Sequence, residues 1–486
     1  MEVTLGIDVG TSGMRAVAVS LTGEVIAVAH CDFPSDATCH DMGRVEQDPA
    51  VWSPSLWNVL REISSTLKKL SPLPKIVGIA VDATSGTFLL LDRNFIPMTP
   101  AILYNDLRGA QFCQEAQQAL GAVLQPYGIT IAPAFALCKL LFLREHQPHL
   151  LEQCRRIVHQ TDYIVGLLTG NFDVTDVSSA LKTGVNPATL EWPAEIERKL
   201  GLPTDRLPQV RLSGEVIGRV TEEAAKRSGL APGIPVVSGC TDGTAAAIAS
   251  GIRASGDLNV TLGTTLVFKA VSVSPLHDPE GRVYNHRHPD GGYLPGAASS
   301  AGAGWVKELT SHADLQQLER EATACIPTGL CVYPLQTEGE RFPFSCPRAK
   351  GFGLSDIVDL PRRFAAGMEG IAYLERMGIE VLEALGLPHS QVTYATGGAT
   401  RNELWLRIRA AITGRVMLLT ENPESAFGAA ILAAVPRFGS CRAAQEKMVR
   451  IHKRIEPEQR LTLDYEQGYE GFCRELENLG YIIQGC

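Results

Sequence analysis

Two segments far apart in this chain share one pattern, and this repetition limits the possible folds more than any other feature. Leu5–Val17 and Asn259–Val271 each consist of an apolar strand, a turn of Gly, Thr and Ser or Thr, and a second apolar strand. This pattern predicts a β-hairpin in each half of the chain. We therefore expect two similar domains, with a chance likeness of two unrelated hairpins as the alternative. The hairpins differ where the first has Asp8 and the second has Thr261.

The remaining apolar segments predict an α/β fold. The chain has 486 residues, a length that favours two or three domains over a single core. Short β-branched runs alternate with longer amphipathic stretches, which is typical of buried sheets covered by helices. We predict strands at Ile76–Val81, Val236–Ser238 and Val392–Ala395, and helices at Leu56–Leu70, Arg362–Leu385 and Asn402–Ile412.

Charge and composition argue against several classes of partner. The chain has 44 basic and 53 acidic residues and a net charge of −9, which disfavours nucleic acid or an anionic membrane as the main partner. The run of small and apolar residues at Ala426–Val435 is well short of the roughly 18 residues that a membrane span needs. No basic leader precedes the first strand, and the 12 cysteines include no C-x-x-C pair. We therefore expect a cytoplasmic protein with reduced thiols, as a monomer or a homodimer.

The turn of the first hairpin, Gly10–Gly13, has the composition of a phosphate-binding loop. Its glycines let the backbone approach a ligand closely, and its N–H and hydroxyl donors suit phosphate oxygens. Asp8 would repel phosphate directly but can hold Mg²⁺, often through water. A plain hairpin turn is the alternative, and Asp8 together with the second hairpin favours phosphate binding. A P-loop is disfavoured because the chain contains no G-x-x-x-x-G-K-[ST] segment.

Two further turns have residues suited to catalysis and to nucleotide binding. Asp242 follows a strand and begins a helix of small residues. It is interpreted either as a helix cap or as a general base for a hydroxyl that attacks phosphorus. The helix start should favour its ionised form. The Gly397-Gly398 turn also follows a strand, and such a turn can lie flat against an adenine or a ribose because no side chain intervenes.

A longer series of motifs follows one order along the chain. Its members are Thr337–Pro343, Gly351–Leu354, Arg362–Tyr373, Gly397-Gly398 and Glu424–Ala430. From Leu5 to about Ala434 the sequence thereby resembles the FGGY carbohydrate kinases of the actin/Hsp70/hexokinase superfamily. The resemblance implies an α/β fold of two RNase H-like (actin-like ATPase) domains with a ligand cleft between them. It implies a sugar-binding domain at 1–250, which 441–486 would complete, and a nucleotide-binding domain at 251–440.

The resemblance also implies a role for each matching residue. Asp242 matches the catalytic base and would contact the sugar hydroxyl, and Asp8 would face both the sugar and Mg²⁺ bound through water. The implied phosphoryl donor is ATP, with Mg²⁺ as cofactor. The matching ATP-binding residues are Thr11, Ser12 and Gly13 in the first hairpin, Gly263 and Thr264 in the second hairpin, and Gly397, Gly398 and Asn402 in the adenosine pocket.

Two segments resemble the sugar side of the family. Tyr104–Arg108 is similar to its W-x-D-x-R motif, which makes Asp106 and Arg108 sugar contacts, with an exposed ion pair as the alternative. Tyr104 replaces Trp there, and Cys346 stands where the family often has Asp. Ser85 follows a strand and should line the sugar pocket, unless its segment only caps the strand. Glycerol kinases have an Arg-Glu pair in this segment and xylulokinases a Met-His pair, whereas the Asp-Ala-Thr-Ser of this chain is closer to ribulokinases and pentitol kinases.

The resemblance therefore predicts an ATP-dependent kinase for the terminal hydroxyl of a ketopentose. D-ribulose, converted to D-ribulose 5-phosphate, is the favoured substrate, because the chain is similar to the short D-ribulose kinases and xylulose-kinase-like proteins of cyanobacteria and plants. A xylulokinase or a pentitol- or glycerol-type kinase is the nearest alternative. A catalytically weak sugar-binding protein and an actin-like regulatory ATPase are alternatives of another class. The expected partners are a small sugar and ATP.

Overall fold

The computed structural model describes residues 1–309 and 314–482. Its strands are β1 (Glu2–Val9), β2 (Gly13–Ser20), β3 (Val25–Asp32), β4 (Thr38–Asp41), β5 (Arg44–Gln47), β6 (Lys75–Ala83), β7 (Phe88–Leu91), β8 (Ala101–Ile102), β9 (Arg156–His159), β10 (Val174–Asp176), β11 (Gln209–Arg211), β12 (Val216–Arg219), β13 (Pro235–Val237), β14 (Cys240–Thr241), β15 (Leu258–Leu262), β16 (Leu266–Ala270), β17 (Tyr284–Arg287), β18 (Tyr293–Ala298), β19 (Val392–Thr396), β20 (Val416–Thr420) and β21 (Ile451–Ile455).

Helices alternate with these strands along the chain. They are α1 (Trp52–Lys68), α2 (Cys113–Leu124), α3 (Ala136–His146), α4 (Pro148–Gln153), α5 (Gln160–Thr169), α6 (Val177–Ala180), α7 (Glu195–Arg198), α8 (Glu222–Ser228), α9 (Asp242–Ala249), α10 (Gly304–Leu309), α11 (Leu315–Thr323), α12 (Leu360–Ala384), α13 (Glu403–Thr413), α14 (Ser425–Ala433), α15 (Val435–Phe438), α16 (Cys441–Met448) and α17 (Gln459–Asn478). Within the described residues, none of these helices is both long enough and apolar enough to cross a bilayer.

The chain divides into two compact units. The first unit contains Met1–Gly251, His286–Gly292 and Asn422–Arg450, and the second contains the intervening residues and the chain from Ile451 onward. Within this division, Asn422–Arg450 belongs to the first unit and the chain after it to the second. The expected sugar-binding and nucleotide-binding domains stay a prediction. Residues 483–486 of the expected 441–486 segment lie outside the described residues.

Each unit is built around one large sheet, and the two sheets share a strand order. In the first unit the order is β3-β2-β1-β6-β13-β12, and β14 also pairs with β6. In the second it is β17-β18-β16-β15-β19-β20-β21. In both, the hairpin strands are antiparallel, the next strand is parallel to the first hairpin strand, and an antiparallel strand closes the far edge. Two chance hairpins would not share this whole order, so the prediction of two similar domains is confirmed.

The predicted strands and helices agree with these elements within a few residues. Ile76–Val81 lies inside β6, Val392–Ala395 lies inside β19, and Val236–Ser238 overlaps β13. The three predicted helices correspond to α1, α12 and α13. Their apolar faces are buried, which is why periodicity located them.

Small residues fix α14 against the centre of the first sheet. A Cβ added at Gly6 would lie 1.8 Å from the carbonyl oxygen of Ala426, so only glycine permits this approach. Thr4 Oγ1 donates a hydrogen bond of 2.8 Å to the carbonyl oxygen of Ala430. This close packing places the first residue of α14, Ser425, beside the end of β1.

Candidate functional site

Three carboxyl groups lie at one edge of the first sheet. The parallel pairing of β1 with β6 sets Asp8 beside Asp82, and the pairing of β14 with β6 sets Cys240 on the other side of Asp82. Asp242 follows β14 directly as the first residue of α9. Because the carboxyl ends of parallel strands meet at one edge of a sheet, this edge is the usual place for a ligand in an α/β protein.

Asp242 lies at a helix start, as the sequence predicts, but it is not the capping residue. Thr241 occupies the N-cap position of α9, while Asp242 Oδ1 accepts a hydrogen bond of 2.6 Å from the N–H of Gly243. The sequence predicts that the helix start favours the ionised form of Asp242, but in the structure burial outweighs that effect. Burial raises the pKa of Asp242 more than the Gly243 N–H lowers it, and the charge of Asp8 raises it further. A base with a raised pKa accepts a proton more readily near neutral pH.

Asp82 is the most deeply buried carboxyl group of this edge. The residue is fully buried, and neither side-chain oxygen has a hydrogen-bond partner. Burial, and then the neighbouring charge of Asp8, raises the pKa of Asp82 well above its ordinary value. Two ionised carboxylates have no proton to share, so this pair is satisfied only when one of them is protonated. Unsatisfied buried polar groups are few in folded proteins, and each one calls for an explanation.

Asp8 is held by α14 of the same unit. Ser425 Oγ donates a hydrogen bond of 2.8 Å to Asp8 Oδ2. The adjacent turn is closed by a hydrogen bond of 2.9 Å from the Gly10 N–H to the carbonyl of Gly13. Thr11 and Ser12 are exposed on this turn, so their donors are accessible to a ligand.

The surroundings of Asp8 suit Mg²⁺ bound mainly by other oxygens. Among the described residues, no group of three or more His, Cys, Asp or Glu side chains is arranged to hold a metal ion. Mg²⁺ differs from metals that need such a cage, because it keeps several waters and takes one or two carboxylates plus substrate phosphates. An exposed donor turn beside a single accessible carboxylate fits that ligand set.

Lys182 is a functional candidate that sequence reasoning missed. Its Nζ donates a hydrogen bond of 3.1 Å to the carbonyl of Ser85, in the turn that follows β6. Burial lowers the pKa of Lys182, and the nearby charge of Asp242 opposes that shift. The structure therefore brings Ser85, Lys182 and Asp242 together. No sequence motif links the lysine to the other two, because it lies about 60 residues from Asp242 and still further from Ser85.

Asp106 and Arg108 form a buried ion pair. Their side chains are 0% and 5% exposed, so the alternative of an exposed pair is wrong. Arg108 Nη2 lies 2.8 Å from Asp106 Oδ2 and 2.6 Å from Glu46 Oε1. The N–H of Val45 donates to Asp106 Oδ2 at 2.6 Å, and the Arg108 N–H and Nε donate to Oδ1. Because protein donors engage both carboxylate oxygens, Asp106 holds its own loop together. The bonds of the Arg108 side chain within this cluster use Nε and Nη2.

The two departures from the family pattern lie in different environments. Tyr104 is 36% exposed, at the start of the loop that leads to Asp106. Cys346 is buried in the core of the second unit and exchanges two main-chain hydrogen bonds with Glu340. The cysteine is therefore part of the core packing.

The second unit contains a pocket at the nucleotide side expected from the sequence. Its volume is about 840 Å³. Four predicted residues line it, namely Gly263, Thr264, Gly398 and Asn402, together with aromatic and charged side chains that the sequence did not indicate, namely Phe364, Trp405, Lys307, Arg401 and Glu319. This size and mixed lining are typical of a site for a small organic ligand.

The glycines at this pocket and beside it divide into open and packed positions. A Cβ at Gly398 would meet no atom within 4 Å, and one at Gly263 would only touch the carbonyl oxygen of Thr265 at 4.0 Å. These two glycines leave backbone open to a ligand. Gly397 is different, since it has φ +92° and a Cβ there would lie 2.5 Å from the carbonyl oxygen of Leu262. It is absent from the pocket lining, so its role is to form the turn. Asn402 Oδ1 caps α13 by accepting the N–H of Trp405 at 2.8 Å.

Known proteins match almost the whole chain. Residues 3–249 match the N-terminal domain of the FGGY family of carbohydrate kinases, and residues 258–436 match its C-terminal domain. The sequence is 30% identical over 443 residues to a xylulose kinase of Escherichia coli K12, with 89% of each chain covered. It is 29% identical over 486 residues to a xylulose kinase of Klebsiella pneumoniae, covering 98% of this chain and 99% of the relative. The crystal structure of xylulose kinase from Rhodospirillum rubrum has a TM-score of 0.87 at 27% identity, with 99% of each chain covered. The predicted fold class is confirmed.

Proposed function

Because the chain belongs to the FGGY family of carbohydrate kinases, we propose that it transfers the γ-phosphoryl group of ATP to the terminal hydroxyl of a ketopentose. Membership makes it an ATP-dependent phosphotransferase that acts on a sugar hydroxyl. The observation that supports a chemical role for the first unit is the position of Asp242, at a strand end beside Asp8 and Lys182. The specific sugar and the residue roles below are part of the proposal.

Asp242 is the proposed general base. It accepts the proton of the terminal hydroxyl as that oxygen attacks the γ-phosphorus, and its raised pKa suits this task. Lys182 stabilises the ionised form of Asp242 before the reaction, since its charge lowers the pKa of that carboxyl group. Phosphoryl transfer depends mainly on positioning and charge neutralisation, so a carboxylate fixed at a helix start is a suitable base.

Asp8, Thr11, Ser12 and Gly13 are the proposed phosphate and Mg²⁺ side of the first unit. Asp8 would hold Mg²⁺ through water, with Ser425 fixing the orientation of its carboxylate. Bound Mg²⁺ would neutralise negative charge that develops on the phosphate oxygens. The exposed N–H and hydroxyl groups of the turn would donate to those oxygens.

The pocket of the second unit is the proposed nucleotide site. The open backbone at Gly398 would face adenosine, with Asn402 and Trp405 lining the same pocket. Gly263 and Thr264 would contact phosphate through their N–H and hydroxyl groups. The pocket volume of about 840 Å³ is within the ordinary range for a ligand of this size.

D-ribulose is the proposed substrate and D-xylulose the second candidate. The first choice is supported by Asp82–Ser85, whose small hydroxyl side chains replace the Met-His pair of xylulokinases and the Arg-Glu pair of glycerol kinases. The second candidate is supported by the relatives, several of which are named xylulose kinases. Both sugars are open-chain ketopentoses that differ at one hydroxyl-bearing carbon.

A substrate panel tests this proposal. ADP release from Mg-ATP is measured with D-ribulose, D-xylulose, ribitol and glycerol, with a no-sugar reaction as the baseline. We expect kcat/KM for D-ribulose to exceed that for D-xylulose by about tenfold or more, as a correctly placed hydroxyl contact provides. The reverse order would establish the second candidate. A higher kcat/KM for glycerol, or sugar binding without turnover, would contradict a ketopentose kinase.

A further inference from the structure

A buried lysine outside the proposed reaction centre contacts the two loops on the sugar side. Lys139 lies on α3 and is fully buried. Its Nζ donates hydrogen bonds of 2.7 Å to the carbonyl of Leu103 and 3.1 Å to the carbonyl of Tyr104. The carbonyl oxygens of Gly86 and Ala134 both lie 3.5 Å from the same nitrogen. One amine therefore faces four main-chain oxygens.

The electrostatics of Lys139 show that it is not half of a salt bridge. Among the described residues no carboxylate lies within 4.0 Å of its Nζ, and its partners are all carbonyl groups. Burial lowers the pKa of Lys139 to about 7, and the charge of Asp106 opposes this shift. Burying an amine in this way is unfavourable unless its donors are satisfied. The carbonyl contacts provide that satisfaction, so the loops and the lysine stabilise one another.

Three of the four carbonyl groups belong to the two segments that the proposed function assigns to the sugar side. Leu103 and Tyr104 begin the loop that contains Asp106 and Arg108, and the Asp106 N–H donates to the carbonyl of Leu103 as well. Gly86 follows Ser85 in the turn after β6 and has φ +85°. A Cβ at Gly86 would lie 2.8 Å from both the Ala134 carbonyl oxygen and Lys182 Cδ. The turn is therefore closely packed, and Lys139 ties it to the loop at Leu103.

We propose that Lys139 is a positioning residue that sets the Ser85–Gly86 turn and the Leu103–Arg108 loop relative to each other for sugar binding. The proposal rests on the proposed function, because it assigns both segments to the sugar side of the same site. The proposal predicts that loss of the amine affects sugar binding and spares nucleotide binding. The sugar contacts are displaced, whereas the nucleotide pocket, which lies in the second unit, is unchanged.

The test compares Lys139→Met with the wild-type protein in full steady-state kinetics. Methionine has a similar length and no donor, so it removes the carbonyl contacts with little change in volume. We expect kcat/KM for the ketopentose to fall by about 10- to 100-fold, the scale of a misplacement of about 1 Å, while KM for ATP and sugar-independent ATP hydrolysis stay within about twofold. The sugar is D-ribulose, or D-xylulose if the wild-type protein prefers it, so the wild-type panel alone decides the proposed function.

Two further variants keep the test decisive. Lys269→Met is the matched control, because Lys269 is also buried, in the second unit, and its pKa is also lowered to about 7 by burial. It should change the melting temperature without a selective fall in kcat/KM for the sugar. Lys139→Gln retains an amide NH₂ donor group and should show an intermediate loss for the sugar. Three results would overturn the proposal, because each assigns the lysine to the general core: equal changes in kcat/KM for the sugar and in KM for ATP, an unchanged kcat/KM for the sugar, or failure of both Lys139 variants to fold.

Discussion

The two sheets have the same strand order, but matching positions carry carboxyl groups in the first sheet and hydroxyl groups in the second. In the first sheet Asp8 lies beside Asp82 across the β1–β6 pair, and in the second Thr261 lies beside Thr396 across β15–β19. The threonine hydroxyl oxygens are 2.7 Å apart, and one of them donates to Asn259 Oδ1. The aspartates have no such mutual satisfaction, since both oxygens of Asp82 lack a partner.

In the proposed function, the first unit supplies the reacting groups and the second unit binds the nucleotide. A hydroxyl can donate and accept, so the threonine pair is satisfied by its own unit and adds only stability. A carboxyl pair needs a proton or a cation, and it is retained in the unit that contains the proposed base. Perturbed carboxyl groups at strand ends are a functional signal when they also have a specific charged neighbour, as Asp242 has in Lys182.

The largest expected effect tests whether the chemistry belongs to the first unit. Asp242→Asn removes the proposed base and should lower kcat by about 10² to 10⁴ while KM for ATP stays within about twofold. The matched control is Asp290→Asn, which alters a carboxylate that accepts the N–H groups of Cys441 and Arg442 at 2.7 Å. That control should lower the melting temperature and keep kcat near the wild-type value. Similar kcat values in both variants would show that Asp242 matters no more to the reaction than Asp290 does.

The second effect compares the matching hairpin positions directly. Asp8→Asn should lower kcat by about 10² to 10³, because it weakens the charge neutralisation of the phosphates. A higher Mg²⁺ concentration should restore part of the activity. Thr261→Val at the equivalent position should leave kcat within about threefold, since the hydroxyl only bonds within its own unit. Equal losses in the two variants would show that the hairpins are functionally alike.

The third effect separates the open glycines that line the nucleotide pocket from the packed glycine beside it. Gly398→Ala and Gly263→Ala add a methyl group where the protein leaves space, so the melting temperature should hardly change. KM for ATP should nevertheless rise by about tenfold, because the methyl group faces the ligand. Gly397→Ala should instead destabilise the protein, by about 1–3 kcal/mol, through strain at positive φ and contact with Leu262. An unchanged KM for ATP in both open variants would argue against this pocket.

The smallest effect concerns the stability of the two pairs as pH changes, measured without Mg²⁺. The folded pKa of Asp82 lies well above its ordinary value, so the folded state binds this proton more tightly than the unfolded state. The stabilisation is fully present below about pH 4 and is lost as pH rises toward the folded pKa. Wild-type stability should therefore fall with rising pH relative to Asp82→Asn.

The threonine pair supplies the control for that measurement. Thr396→Val removes a hydrogen-bonded hydroxyl and should cost about 1 kcal/mol of unfolding free energy. Because a hydroxyl does not titrate in this range, the cost should be the same at every pH. The difference in unfolding free energy between wild type and Asp82→Asn should change with pH. A difference that is the same at every pH would contradict the proposed protonation of the carboxyl pair. Urea unfolding at a series of pH values measures both variants.

Local patterns predicted much of the fold because they are set by neighbouring residues. Alternation and turn composition located both hairpins, and the apolar periodicity located α1, α12 and α13. The duplication itself followed from comparing Leu5–Val17 with Asn259–Val271. The place of the C-terminal segments in the fold was harder to predict from the sequence. The unit that Asn422–Arg450 joins depends on long-range packing, such as the contact of Gly6 with α14.

Site residues were predictable where they belong to a local motif. They were not predictable where contacts with distant residues determine their burial or charge. Gly263, Gly398 and Asn402 lie in or beside short turns that the family resemblance matched, and they line the pocket. The burial of Asp106 was not predictable, because it depends on Val45 and Glu46, about 60 residues away. The raised pKa of Asp242 was missed for the same reason, since the helix start is local and the burial is not.

A crystal structure with a bound ketopentose and a non-hydrolysable ATP analogue tests the central claim most directly. The claim is that Asp242 is the base of a sugar kinase. It predicts a carboxylate oxygen of Asp242 about 2.6–3.2 Å from the terminal hydroxyl oxygen of the sugar. A bound sugar whose terminal hydroxyl lies beyond the reach of Asp242, or whose carboxylate neighbour is another residue, would contradict it.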